Sequence, residues 1–371
     1  MGPSPIKIQV GCIVVSLEGS GEVYERILER TSAFERLCPM SDADIAYQLL
    51  LREQFEKRAQ DFDFRFRTKF FDIGIKGRPL VIAFSCRLPF KESVIRFLPE
   101  YLHWVLYGIG IKRPYSLSEL RAEAFICEVF EWSSHFVMLK KGASYVYASA
   151  VEDLNDEKAY IFVGRSGSGK TTIAAHLSLC EDHFRSLSDD RLIIDKRGRA
   201  YFNEGRSLLR IRALLSPDEL RWEISRNQTL SERILWKFLG MVNKDTAKWV
   251  SLPTNSDDAQ SATGTPIKYC FFLRPSKAAK KISLHKIKAD DLARRTSRYM
   301  FLRHGSQFRY VERSGHGDDF ERVREEIESI HRAAFSGAEC YELCVPVPVV
   351  ASDLQETVKG LIGGRRRRGD S

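Results

Sequence analysis

The sequence predicts an α/β fold, and three observations carry that prediction. A short apolar strand, 159–163 (AYIFV), runs straight into a glycine-rich loop. A helical segment with Ile173, Ala174 and Leu177 on one side leaves the loop. A second strand region, 184–195, follows one helix later and is interrupted by the adjacent carboxylates Asp189 and Asp190. Strand, loop, helix and strand in that order are the parts of a sheet with helices packed on it.

The elements divide the chain into a mixed α+β region at 1–134, a core at 135–362 and a basic tail at 363–371. In the first region, residues 6–17 begin with period-two alternation (Ile6, Ile8, Val10, Cys12), which predicts a strand. Residues 42–59 carry helical spacing behind Ser41 as a cap candidate. Residues 62–70 alternate aromatic and charged side chains, as a half-buried strand does; gripping a peptide is the alternative use of that run. Residues 79–86 form another apolar strand, and 91–107 and 118–133 read as helices rich in large apolar residues.

In the second region, 135–151 reads as two short strands joined at Gly142, and 153–158 as a turn. After the loop and its helix (171–179), Asp195 to Gly198 has the composition of a hairpin turn. Residues 217–250 read as charged helix and 253–266 as an exposed loop without large apolar side chains. Strands are expected at 267–273 and 341–349, helices at 290–303, 320–334 and 353–361, and disorder from 364 onward.

The chain has 371 residues, enough for one large domain or two ordinary ones with a sizeable core. No apolar run approaches the roughly 18 residues that cross a bilayer, and the N-terminus lacks a signal-peptide layout, so a cytoplasmic protein without a membrane partner is expected. The eight cysteines (Cys12, Cys38, Cys86, Cys127, Cys180, Cys270, Cys340, Cys344) form no C-x-x-C pair. Cys340 and Cys344 share one face of a predicted strand, with no further ligand adjacent in sequence. Buried free thiols in a reducing compartment fit this pattern better than a metal site. The net charge is +9, with pI near 9.1, and part of the excess is the run Arg365 to Arg368. Such a run is ordinarily solvated. Nucleic acid is not expected as the main partner, because no aromatic-interleaved basic surface or nucleic-acid motif accompanies the charge. A homo-oligomer is compatible with the composition.

The chemistry concentrates at 164–172. The pattern G-x-x-x-x-G-K-[ST] occurs in full, with a strand before it and a helix after it. Gly164, Gly167 and Gly169 let the backbone curl with its N–H groups inward. Those amides and the helix N-terminus make a cradle for anionic phosphates. Lys170 would neutralise charge on the β- and γ-phosphates, and Thr171 would offer its hydroxyl to Mg²⁺. The expected binding set is Gly164, Ser166, Gly167, Ser168, Gly169, Lys170, Thr171 and Thr172, for ATP with Mg²⁺. Of the downstream pair, one carboxylate would hold the metal while the other takes a proton from an incoming hydroxyl. The expected position of that pair is the end of a parallel strand neighbouring the phosphate strand.

At these residues the sequence resembles the HPr kinase/phosphorylase-like proteins, a branch of the phosphoenolpyruvate-carboxykinase-like P-loop fold. The resemblance rests on GRSGSGKTT, a short helix, then LSDD, with YASAV (Tyr147 to Val151) upstream. The segments LRIRA (209–213), IKYCFFLR and YELCVPVP are similar to further stretches of the family. The resemblance covers roughly residues 120–360 and is specific between 145 and 191. It implies a carboxykinase-like P-loop kinase core that phosphorylates serine-type hydroxyls of a peptide or protein. By position it makes Lys170 and Asp190 catalytic, Asp190 taking the acceptor's proton, and makes Thr171 and Asp189 the metal residues. Two positions depart from the family. Tyr147 stands where many relatives keep a histidine, and a tyrosine titrates near pH 10. Arg210 stands where the downstream segment keeps a glutamate. The family's separate N-terminal domain is not recognisable in 1–140, so an acceptor other than HPr is expected. A small-molecule hydroxyl kinase, a nucleotide-binding or slow ATPase module that docks partners, and phosphate-driven reverse chemistry are the alternatives.

His304 and His316 flank glycine and serine, but no neighbour completes a site around them. Arg206, Arg210 and Arg212 are candidates for a guanidinium on the transferring phosphate.

Overall fold

A computed structural model describes residues 5–31, 42–68, 70–77, 80–87, 117–165, 167–181, 183–189, 191–202, 208–211, 248–251, 264–313, 320–347, 353–354 and 356–360. The chain divides into two compact units. One comprises Met1–Tyr145, Ser256–Ala262 and Ser297–Ile330; the other comprises Val146–Asn255, Thr263–Thr296 and His331–Ser371. Each carries a mixed sheet, so the chain is a mixed α/β protein. The expected helix at 91–107 and the basic tail lie outside the described residues, as does all of 217–250 except its last three residues.

The first unit is built on a six-stranded sheet in the order β1-β2-β3-β6-β5-β4. Its strands are β1 (Ile6–Val10), β2 (Ile13–Glu18), β3 (Ile45–Leu50), β4 (Phe64–Arg67), β5 (Phe71–Lys76) and β6 (Leu80–Cys86). The single strand expected at 6–17 is a hairpin: Val10 pairs with Ile13, and Gly11 turns at φ 57°. That turn sits inside an apolar stretch, so composition did not mark it.

The helix expected over 42–59 is corrected more deeply. Its first half is β3, which runs parallel to both β2 and β6, and its second half is the short helix α2 (Arg52–Lys57). Ile45 and Tyr47 are buried at period two. Six residues are too few for periodicity to separate a strand from a helix, and pairing on both sides decided the outcome.

Helices α1 (Glu22–Arg30) and α3 (Leu117–Phe125) are joined where Ser118 donates to Glu22 at 2.5 Å. α3 continues through a π-helical turn (Ile126–Phe130) into α4 (Glu131–Lys140). Phe125 stacks on Phe84 with centroids 4.8 Å apart and meets the Tyr47 ring edge-on at 5.4 Å. The Tyr47 hydroxyl pairs with Ser133 at 2.7 Å, and burial drives its pKa well up.

α4 also overturns the first of the two strands expected over 135–151. Gly142, at φ 73°, donates its N–H to the Leu139 carbonyl and stops the helix. Lys140, Lys141 and then glycine form a helix C-terminus signal, read in sequence as a strand turn. The chain then continues as β7 (Ala143–Val146).

The second unit is centred on β8 (Ala148–Asp153), β9 (Lys158–Gly164), β10 (Phe184–Ser188), β15 (Thr265–Ser276) and β17 (Glu339–Pro346). Between β10 and β15 in the chain come β11 (Leu192–Asp195), β12 (Arg199–Tyr201), β13 (Leu208–Ile211) and β14 (Lys248–Ser251); β16 (Ser283–Lys286) precedes β17. β10 pairs antiparallel with β8, and β8 antiparallel with β9. β9 lies parallel to β15, and β15 parallel to β17, with β16 antiparallel on β17. β11 and β12 form the expected hairpin over Asp195 to Gly198, and β12 joins the start of β15.

β9 and β15 are apolar runs buried on both faces, as strands in the middle of a covered sheet must be. Phe162, Phe271 and Tyr341 stack across the three parallel strands at 5.4 and 6.0 Å. Helix α5 (Lys170–Cys180) covers this face with Ile173, Ala174 and Leu177, and Leu354 and Val358 join the same cluster. Each such side chain, fully buried, contributes about 1.5–3 kcal/mol. Helices α6 (Ala289–Arg313) and α7 (Phe320–Phe335) bring Thr296 and His331 together, hydroxyl to ring nitrogen at 2.7 Å.

Candidate nucleotide site

The loop between β9 and α5 has a conformation that its glycines impose. A Cβ on Gly164 would stand 2.6 Å from Ser168 Oγ and 2.7 Å from the Leu273 carbonyl oxygen, so glycine alone fits against β15. Gly167 and Gly169 turn at φ 79° and 94°, in the region that L side chains avoid. Ser168 is fully buried, and its hydroxyl has no hydrogen-bond partner among the described residues. Isolated buried hydroxyls are costly, so such an atom in a glycine-rich loop is suited to a ligand oxygen.

Lys170 opens α5 and is buried. Its Nζ donates to the Arg165 carbonyl at 3.2 Å and lies 4.3 Å from the centre of the Tyr147 ring. Thr171 and Thr172 follow on the first turn, both half-buried. Ser149, buried on β8, is the hub of the site. Its hydroxyl donates to the Asp189 main-chain carbonyl at 2.5 Å, and its oxygen lies 3.4 Å from Asp189 Oδ1 and 3.5 Å from Thr171 Oγ1.

Thr171 and Asp189 therefore meet at Ser149 of β8, while Lys170 packs on Tyr147, the residue just before that strand. That strand corrects the expected sheet order. β10, which carries Asp189 beyond its end, is not the neighbour of β9; β8 lies between them. Two antiparallel pairings in succession still leave β10 pointing the same way as β9, so the carboxylate reaches the loop end of the sheet. Ser149 belongs to the YASAV stretch, but nothing local in that stretch marked its hydroxyl as a link. Ser188, next to Asp189, also has a buried hydroxyl with no partner among the described residues.

Ser166 and Asp190 lie outside the described residues, as do Arg206, Arg212 and His316. Arg210 is on β13, in register with Trp249 of β14, and His304 is on α6. Cys270 and Cys340, far apart in sequence, are register partners on β15 and β17 and are buried free thiols; burial pushes the Cys270 thiol well up. Among the described residues no group of three or more His, Cys, Asp or Glu is placed to hold a metal ion, and no helix is long and apolar enough to cross a membrane. The chain matches no protein-family model and no curated protein.

Proposed function

We propose that this chain is an ATP-dependent kinase with a carboxykinase-like P-loop core, transferring the γ-phosphoryl group to a hydroxyl, foremost a serine of a peptide or protein. The observation that carries the reading is that Thr171 and Asp189 converge on Ser149 of β8, with Lys170 against Tyr147 just before it, beside a loop in which Gly164 is sterically required. The residues fit the group they would hold. A glycine cradle with a buried hydroxyl that has no partner among the described residues suits phosphate oxygens. A threonine hydroxyl and a carboxylate are hard oxygen donors of the kind Mg²⁺ takes, with phosphate oxygens and water completing its shell.

In this reading the loop amides and Lys170 orient the triphosphate and neutralise its charge. Thr171 and Asp189 would hold Mg²⁺, which would supply further charge neutralisation. Asp190 accepts the acceptor's proton. The acceptor oxygen then bonds to the γ-phosphorus as the bond to the β,γ-bridging oxygen breaks, releasing ADP.

The test is transfer of labelled γ-phosphate to peptide, protein and low-mass hydroxyl acceptors. Lys170→Ala should abolish turnover. Asp190→Asn should bind nucleotide as before but lose about 10²–10⁴-fold in transfer. Full transfer by Asp190→Asn would remove it from the role of base. The Tyr147 ring against Lys170 favours a second reading, a nucleotide-binding module with slow hydrolysis. Label appearing solely as inorganic phosphate, whatever the acceptor, would select that reading.

A further inference from the structure

We infer that Ser149 is the positioning residue for the divalent cation of this site, an inference that rests on the nucleotide reading above. Side chains two apart on a strand share a face. From Tyr147, just before β8, one such face meets the start of α5 residue by residue. The Tyr147 ring faces Lys170, Ser149 faces Thr171, and Val151 packs in one core cluster with Ile173 and Leu177. The strand is thereby in register with the helix that follows the phosphate loop.

The hydroxyl chemistry follows from a count of protons. Ser149 has one O–H, and it is donated to the Asp189 carbonyl at 2.5 Å. Toward Thr171, Ser149 therefore acts as an acceptor. A Thr171 hydroxyl that gives its proton to Ser149 turns its lone pairs the other way, as a cation ligand must. The contact is 3.5 Å, long for two hydroxyls. A cation drawing electron density from the Thr171 oxygen makes its O–H a stronger donor, so the contact shortens when metal is present. The same serine fixes the main chain of Asp189, whose carboxylate oxygen is 3.4 Å away. One buried hydroxyl thus sets the lone pairs of one metal ligand and the backbone of the other, as the outer partners of metal ligands do elsewhere.

The experiment is calorimetric titration of the full chain with ADP, once with Mg²⁺ and once with EDTA, together with Mn²⁺ binding to the ADP complex by electron paramagnetic resonance. Ser149→Ala should lower Mn²⁺ affinity, and the gain in ADP affinity that Mg²⁺ brings, by about tenfold. ADP affinity in EDTA should move less than about twofold, and Ser149→Thr should restore the metal effect. Unchanged Mn²⁺ affinity in Ser149→Ala overturns the inference and leaves the nucleotide reading standing. Wild-type protein that binds no ADP overturns the nucleotide reading itself. Should Ser149→Ala also lose ADP binding in EDTA, as a misfolded chain does, Ser149→Cys decides on the same two results, since its thiol is a weak hydrogen-bonding group.

Discussion

The ammonium of Lys170 sits 4.3 Å from the centre of the Tyr147 ring while donating to the Arg165 carbonyl at 3.2 Å. The lysine is thus held against its own loop by an aromatic face. On the proposed reading, a bound nucleotide would draw it away from that face. Tyr147→Leu removes the attraction, worth about 0.5–1 kcal/mol, so ADP should bind about two- to fivefold more tightly. Tyr147→Phe keeps the ring and should bind as wild type. Weaker binding by Tyr147→Leu, measured by calorimetry, would mean that the ring supports the bound state instead.

Gly164 packs directly against β15, opposite Leu273. Gly164→Ala places a methyl 2.7 Å from the Leu273 carbonyl oxygen, which is main chain and yields little. The expected loss of stability is about 1–3 kcal/mol in urea denaturation. Adding Ser168→Ala relieves the contact with Ser168 but not the one with Leu273, so it should recover part of the loss at most.

Glu342 gives the second unit a defined acid response. Burial alone would raise its pKa, but the hydrogen bond from Arg295 at 2.5 Å, the Arg274 and Arg295 charges and the bond from Arg274 at 2.7 Å outweigh it and hold the carboxyl below its ordinary value of 4.5. A carboxylate depressed by folding stabilises the folded state above its unfolded pKa, and that contribution fades as pH falls through the folded one. Both arginines are more than a third exposed, so solvent screening limits the effect to about 1 kcal/mol at neutral pH. Glu342→Gln should therefore be less stable than wild type at pH 7, with the gap closing as pH falls below the ordinary carboxyl value of 4.5 in pH-dependent melts.

Cys270 lies at 0% exposure on the central strand β15, with its thiol pushed up by burial. It should resist thiol reagents in the native protein and react at the rate of unfolding. Mass-spectrometric mapping of labelled cysteines over time checks this; rapid labelling under native conditions would contradict it.

The local machinery of the loop was legible in its own residues. The apolar strand β9, the three glycines, Lys170, Thr171 and the helix behind them could be read directly, because each depends on neighbours a few residues away. The turn at Asp195 to Gly198 was legible for the same reason. Tertiary structure decided which strands lie beside which. The segment 45–50 carries helix-like spacing yet became β3, because parallel partners on both sides outweigh the weak preference of six residues. Residues 135–140 became the end of α4, since buried Phe136, Met138 and Leu139 satisfy a helix as well as a strand. At the site, the insertion of β8 between β9 and β10 could not be read from spacing, because strand pairing is made between residues distant in the chain. That insertion puts Ser149 against both Thr171 and Asp189, which lie 22 and 40 residues further along the chain. The loop could be read from its residues, whereas the relation between its hydroxyl and the carboxylate exists only once the sheet has formed.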